Sequence, residues 1–150
     1  MGLVVVAVGI GTALFSNRGQ HLELTGQILK VRVLQLSPEA SLVVTDFRVT
    51  NPSDVPFVVR GVQMQLDPSS GPMLDGASIA KSDVDNVFKY EKLIGPKYTD
   101  VLTIRDRIGP HQTVDRMVGA RFEVPESTID GRKALRLRID DLDGASAEIK

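Results

Sequence analysis

The chain has 150 residues, 42% hydrophobic and 25% charged, which suits one domain with a single core and a short appendage. Its 18 basic and 19 acidic residues leave a formal net charge of −1, so no strong positive field draws nucleic acid to it. The absence of cysteine excludes disulfides, thiolate nucleophiles and Cys-based zinc sites, and the absence of tryptophan weighs against a sugar site built on stacked rings.

Residues 2–15 (GLVVVAVGIGTALF) carry no charge. As a helix they extend roughly 21 Å, short of the roughly 20 residues that cross a bilayer core. Three readings fit them. A signal anchor suits the length and the outright apolar character. A cleavable signal peptide suits the length too, although no Lys or Arg precedes the run and no small-x-small cleavage site ends it. A buried β-strand is the third, since Leu3, Val4, Val5, Val6 and Val8 are strand formers. Arg18 follows closely, which mildly opposes an outward-facing body. The expected division is an N-terminal apolar segment at residues 1–18 and a β-sandwich domain at residues 19–150.

From His21 onward, short alternating runs are separated by turn residues at the spacing of sandwiches. Residues 27–36 (QILKVRVLQL) stop at Ser37-Pro38. Residues 41–50 (SLVVTDFRVT) place Val43, Phe47 and Val49 on one face. Asn51-Pro52-Ser53-Asp54 is a turn, because Pro fixes φ and Asn and Asp bond their own backbone. Residues 57–66 (FVVRGVQMQL) align Val58, Val62, Met64 and Leu66. After an irregular stretch at 68–96, Ser82 is positioned to cap a short helix over 83–92 with Val84, Val87, Phe88 and Leu93 as its apolar stripe. Residues 100–108 put Leu102, Ile104 and Ile108 in phase. Residues 113–124 align Val118, Ala120, Phe122 and Val124. Residues 133–140 set Leu135, Leu137 and Ile139 inward, and Asp143-Gly144 turns into a last strand at 145–149. About seven strands, one short helix and no βαβ rhythm predict an all-β antiparallel sandwich.

Two stretches resemble known sandwich families. Residues 47–66, FRVTNPSDVPFVVRGVQMQL, resemble the strand–Asn-Pro turn–strand core of the water-stress and hypersensitive-response domain of late-embryogenesis-abundant proteins. Residues 108–125, IGPHQTVDRMVGARFEVP, resemble a strand of the telokin-like, immunoglobulin-like domains of secreted and lipid-anchored bacterial proteins; Pro110-His111 stands where that pattern has Pro-Gly. The resemblance implies an immunoglobulin-like sandwich acting outside the cytoplasm as a binding or structural module without catalytic residues.

Candidate chemistry is sparse. His21 and His111 lie in or beside turns and outside any ligand-spaced motif. Asp140, Asp141 and Asp143 before Gly144 are weak calcium candidates, because calcium takes several hard oxygen ligands from a flexible loop; the twelve-residue pattern with its terminal Glu is missing, and a hairpin turn asks for Asp-Gly by itself. Asp83, Asp85 and Asn86 suit a helix N-terminus instead. No serine occupies a Gly-x-Ser-x-Gly elbow. Arg136 and Arg138, with Lys30 and Arg32 on another strand, suit the solvated side of outer strands.

The expected function is that of a non-enzymatic interaction module anchored at the cell envelope and facing the periplasm or exterior, without a cofactor, bound to an envelope protein partner. Its expected working surface is the irregular stretch at 68–96, with Met73, Lys81, Asp85, Tyr90 and Lys92 as exposed candidates, since long loops in compact domains tend to be functional. Two alternatives stand. A structural subunit of an envelope assembly would form homo-oligomers by packing residues 2–15 against its neighbours. A stress-protective protein is what the late-embryogenesis-abundant resemblance implies.

Overall fold

β-branched and aromatic residues alternate with polar ones through most of residues 23–150, which are the residues that the computed structural model describes. Residues 2–15, Arg18 and His21 lie outside the described residues. In chain order the elements are β1 (Thr25–Ser37), β2 (Ala40–Thr50), β3 (Phe57–Asp67), β4 (Leu74–Asp75), β5 (Ala77–Ser78) and helix α1 (Lys81–Tyr90). They continue with a 3-10 turn (Lys92–Ile94), β6 (Asp100–Val101), β7 (Arg107–Ile108), β8 (Thr113–Phe122), helix α2 (Glu126–Asp130), β9 (Ala134–Asp141) and β10 (Ser146–Ile149).

The strands make two five-stranded sheets. The first has the order β1-β2-β8-β5, with β6 on the same edge of β8 as β5. The second has the order β10-β9-β3-β4, with β7 on the same edge of β3 as β4. Pairing is antiparallel except between β6 and β8. The all-β sandwich expectation therefore holds.

The core between the sheets contains the expected faces: Val43, Phe47 and Val49 of β2, Met64 and Leu66 of β3, Val118, Ala120 and Phe122 of β8, and Leu135, Leu137 and Ile139 of β9. Each fully buried side chain of this size contributes about 1.5–3 kcal/mol of transfer free energy. Asn51 closes the β2–β3 corner as its turn signal predicts. Its side-chain amide donates to the carbonyls of Val55 (2.8 Å) and Ile108 (3.0 Å), and its side-chain oxygen accepts the Ser53 N–H.

Four local expectations are corrected. Val58 does not join Val62, Met64 and Leu66, because a bulge between Val59 and Gly61 switches the inward set from Phe57 and Val59 to the even positions. The run at 100–108 is two short strands rather than one. Asp106 accepts hydrogen bonds from the Thr103 N–H (2.8 Å) and hydroxyl (2.9 Å), Arg105 takes φ 75°, and Ile104 turns out to solvent. Helix α1 begins at Lys81 behind Ala80, so Ser82 lies inside the first turn and not at the cap. The helix stops at Tyr90, and the 3-10 turn that follows sends Ile94 inward and leaves Leu93 89% exposed.

Candidate functional site

β2 alternates strictly, so while Val43 and Phe47 look into the sandwich, Leu42, Val44 and Asp46 look out of it. This outer face is also covered. Residues 79–98 lie over it, and Val84 and Ile94 pack with Leu42, Val44, Val101 and Met117 in a second apolar cluster, flanked by Leu34, Ile79, Val87 and Phe88. Gly119 admits the cover: a Cβ there would meet Ile79 Cδ1 and Cγ1 at 2.8 Å and Val84 Cγ2 at 3.0 Å.

Arg32 fastens the cover at its far end. It rises from β1 with 4% of its surface exposed. Its Nε donates to Asp46 Oδ2 at 3.0 Å, and its Nη1 donates to the carbonyls of Ile94 (3.0 Å) and Pro96. Nη2 lies 3.0 Å from the same Asp46 oxygen. The guanidinium is flanked by the rings of Phe88 (4.9 Å) and Tyr98 (5.1 Å). One planar cation thus ties β1, β2, α1 and the segment after the 3-10 turn together. A single ammonium has no such fork of donors.

A second charged group lies on the surface of the cover. Asp85 accepts from Lys81 (2.8 Å) and Lys97 (3.0 Å), and these hydrogen bonds hold its carboxyl below the usual carboxylate range. Lys97 also approaches Asp100 at 3.5 Å. Around this frame the cover presents Tyr90 (70% exposed), Leu93 and Tyr98 (64% exposed). The ammonium of Lys89 lies 5.4 Å from the Tyr90 ring, and that of Lys30 lies 5.5 Å from the Tyr98 ring.

Of the residues selected from sequence, Lys81 and Asp85 bond each other on α1, Tyr90 ends that helix and Lys92 opens the turn after it. Met73 stands apart, beside β4 in the second sheet. Arg32 was expected on a solvated basic face and is instead buried, because the cover closes over it. Arg136 and Arg138 belong to the second sheet. The Arg32–Asp46 pair was missed, though a signal exists: an acid inside the run Val43-Val44-Thr45-Asp46-Phe47 needs a partner once that strand is buried.

Asp140, Asp141 and Asp143 do not converge. Asp140 accepts from Ser146 Oγ (2.6 Å) and Arg138 Nε (3.2 Å), while Asp141, the next residue on the strand, turns to the opposite face and accepts the Asp143 N–H (3.0 Å). Among the described residues no group of three or more His, Asp or Glu side chains is placed to hold a metal ion. His111 Nε2 meets Asp54 Oδ1 at 2.7 Å on the surface. Among the described residues no helix is long and apolar enough to cross a membrane.

No family model matches the chain, and no curated protein matches it. Among solved structures, a conserved hypothetical protein from Bacillus anthracis is similar with a TM-score of 0.43 at 8% identity, over 91% of this chain and 91% of that one.

Proposed function

We propose that this chain is a non-enzymatic interaction module, held at the cell envelope by residues 2–15, that engages a protein partner outside the cytoplasm through the cover over its first sheet. One observation carries the reading. Tyr90, Leu93 and Tyr98 stay exposed on a segment that is fastened to the sandwich by a buried arginine, and tyrosine and leucine held rigidly in solvent contribute binding area at little ordering cost. The resemblance of residues 108–125 to telokin-like domains of secreted and lipid-anchored proteins supports the location.

The test has two parts. Cells expressing the full-length chain are fractionated, the membranes are washed with carbonate and the outer face is treated with protease; retention with digestion of the body supports the reading. A photo-crosslinking residue at position 93 is then expected to capture one discrete partner, and Tyr98→Ala is expected to abolish the crosslink. A soluble cytoplasmic chain would sink the location, and equal crosslinking from position 138 on the exposed face of the second sheet would sink the surface.

A second reading rests on β1. This strand forms one edge of the first sheet, pairs with β2, and exposes Leu29 and Leu36. Strand addition by another copy along that edge gives the homo-oligomer of an envelope assembly. Concentration-dependent assembly that is lost when proline replaces Val33 favours it.

A further inference from the structure

The two sides of the sandwich close differently. On one side the chain itself crosses between sheets. Gly76, between β4 and β5, donates its N–H to Met64 O (2.8 Å) and accepts from Gln63 Nε2 (3.0 Å). The turn after β6 does the same, with Arg105 N–H to Val59 O (2.7 Å) and Val59 N–H to Asp106 O (2.9 Å). On the other side β1 meets β10 through Ile28 N–H and Lys150 O at 3.2 Å, and next to this contact a cleft of about 600 Å³ opens between β1 and β9.

The cleft has two chemically distinct parts. Ile28, Val31 and Leu135 line it and also pack on the core between the sheets, so its floor is an exposed margin of that core. Arg132, Lys133, Arg136 and Lys150 also line it, against Asp67 and Asp130. Glu148 beside the cleft pairs with Arg136 at 3.5 Å and Lys150 at 3.8 Å, so four cations meet three carboxylates and Arg132 and Lys133 carry the excess. The rim is held in place. Arg132 Nη1 donates to Ile129 O at 2.8 Å, and the Lys133 N–H donates to Asp67 O at 2.8 Å. Arg136 Nε is occluded from solvent and makes no hydrogen bond among the described residues; Glu148 approaches it at 3.5 Å. The volume lies within the roughly 300–1,000 Å³ of small-molecule sites, and an apolar floor with a few convergent polar groups is the usual composition of such sites.

We propose that this cleft binds a single-chain amphiphile with an anionic head, a long-chain carboxylate. Its tail lies on Ile28, Val31 and Leu135, and its head takes charge-assisted hydrogen bonds from Arg132 and Arg136, with Lys133 adding charge. An uncharged amphiphile satisfies the floor and brings no counter-charge to Arg132 and Lys133. A cationic one meets the excess of positive charge.

Titration of the full-length chain with dansyl-labelled undecanoic acid tests this. The expected result is saturable binding of one probe per chain, displaced at least about tenfold better by oleate than by oleyl alcohol. Arg136→Gln and Arg132→Gln are each expected to weaken binding about tenfold. Ala134→Trp puts a large ring at a residue that lines the cleft and is expected to abolish binding with an unchanged circular dichroism spectrum, while Arg121→Gln on β8, outside the cleft lining, leaves affinity unaltered. Non-saturable uptake, equal displacement by acid and alcohol, or binding indifferent to both arginine substitutions would overturn the proposal. So would binding to anionic phosphatidylglycerol vesicles without binding of the free acid, because the surface would then be a membrane patch and not a ligand cleft.

Discussion

Replacing Arg32 by methionine keeps most of the side-chain volume and removes a guanidinium that three hydrogen-bonded groups rely on, the Asp46 carboxylate and the carbonyls of Ile94 and Pro96. Asp46 would keep a buried carboxylate with no cation beside it, and breaking one partner out of a buried pair costs about 3–5 kcal/mol. The carbonyls of Ile94 and Pro96 lose their donor as well, but the segment that carries them can lift toward water and recover much of that loss. The net expectation is about 4 kcal/mol, a large share of the 5–15 kcal/mol that holds a domain folded. At a urea m-value of about 2 kcal/mol/M this moves the unfolding midpoint down by about 2 M. The double substitution Arg32→Met with Asp46→Leu removes both charges, and it is expected to cost less than Arg32→Met alone, with a coupling energy of about 2–3 kcal/mol. Hydrogen exchange in Arg32→Met should accelerate across residues 84–95 while the amides of β8 keep their protection. An Arg32→Met cost below about 1 kcal/mol, or additive single and double variants, would refute the assignment of Arg32 as the fastening.

Three further outcomes are expected. Gly119→Val drives a side chain into Ile79 and Val84; it should cost about 1–3 kcal/mol and raise dye binding to the bared outer face, both measurable in one urea titration with a hydrophobic probe. Asn51→Ala leaves the buried Ile108 carbonyl without that donor, while the Val55 carbonyl keeps the Ser53 hydroxyl, and chemical denaturation should register a loss of about 1–3 kcal/mol. Burial pushes the Asp140 carboxyl up, but the Ser146 and Arg138 hydrogen bonds and the charges of Arg138 and Arg60 outweigh it and hold it below the usual range. A lowered folded value means that its stabilisation is present above the unfolded value near 3.9 and is lost as pH falls through the folded one. Carbon-detected titration of Ser146→Ala should show the Asp140 pKa rising, with a smaller acid-range loss of stability.

The strands were legible in sequence because β-branched residues, turn residues and alternation agreed; β9 shows this best, with Leu135, Leu137 and Ile139 inward and Arg138 outward. The failures have physical causes. The bulge at Gly61 shifts the phase of β3 by one residue, and a pattern read at constant period does not carry such a shift. Leu93 fits the helical stripe of α1 but lies beyond the helix end, where a 3-10 turn rotates it away. The cover was visible only as a helical segment: nothing in its own residues says which face it lies on, and that depends on Gly119 and Arg32, far away in sequence. The cleft was invisible for the same reason, since Ile28 and Leu135 become neighbours only through the closure of β1 against the second sheet.

β2 sits between two cores, with its residues from Ala40 to Phe47 buried on both faces. During synthesis that strand emerges early, and the β1–β2 hairpin is available as soon as Thr50 is made. Its other partner is not. β8 pairs Thr50 with Thr113 and Ser41 with Phe122, so at about 5–20 residues per second the ribosome leaves the hairpin bare for about 4–14 s. Both of its faces are apolar for that interval, since the α1 cover and β8 arrive on the same later stretch of chain. The nascent protein therefore carries a two-sided sticky ribbon until β8 is made. A slow codon cluster just before β8 would lengthen that exposure, and one just after it would not.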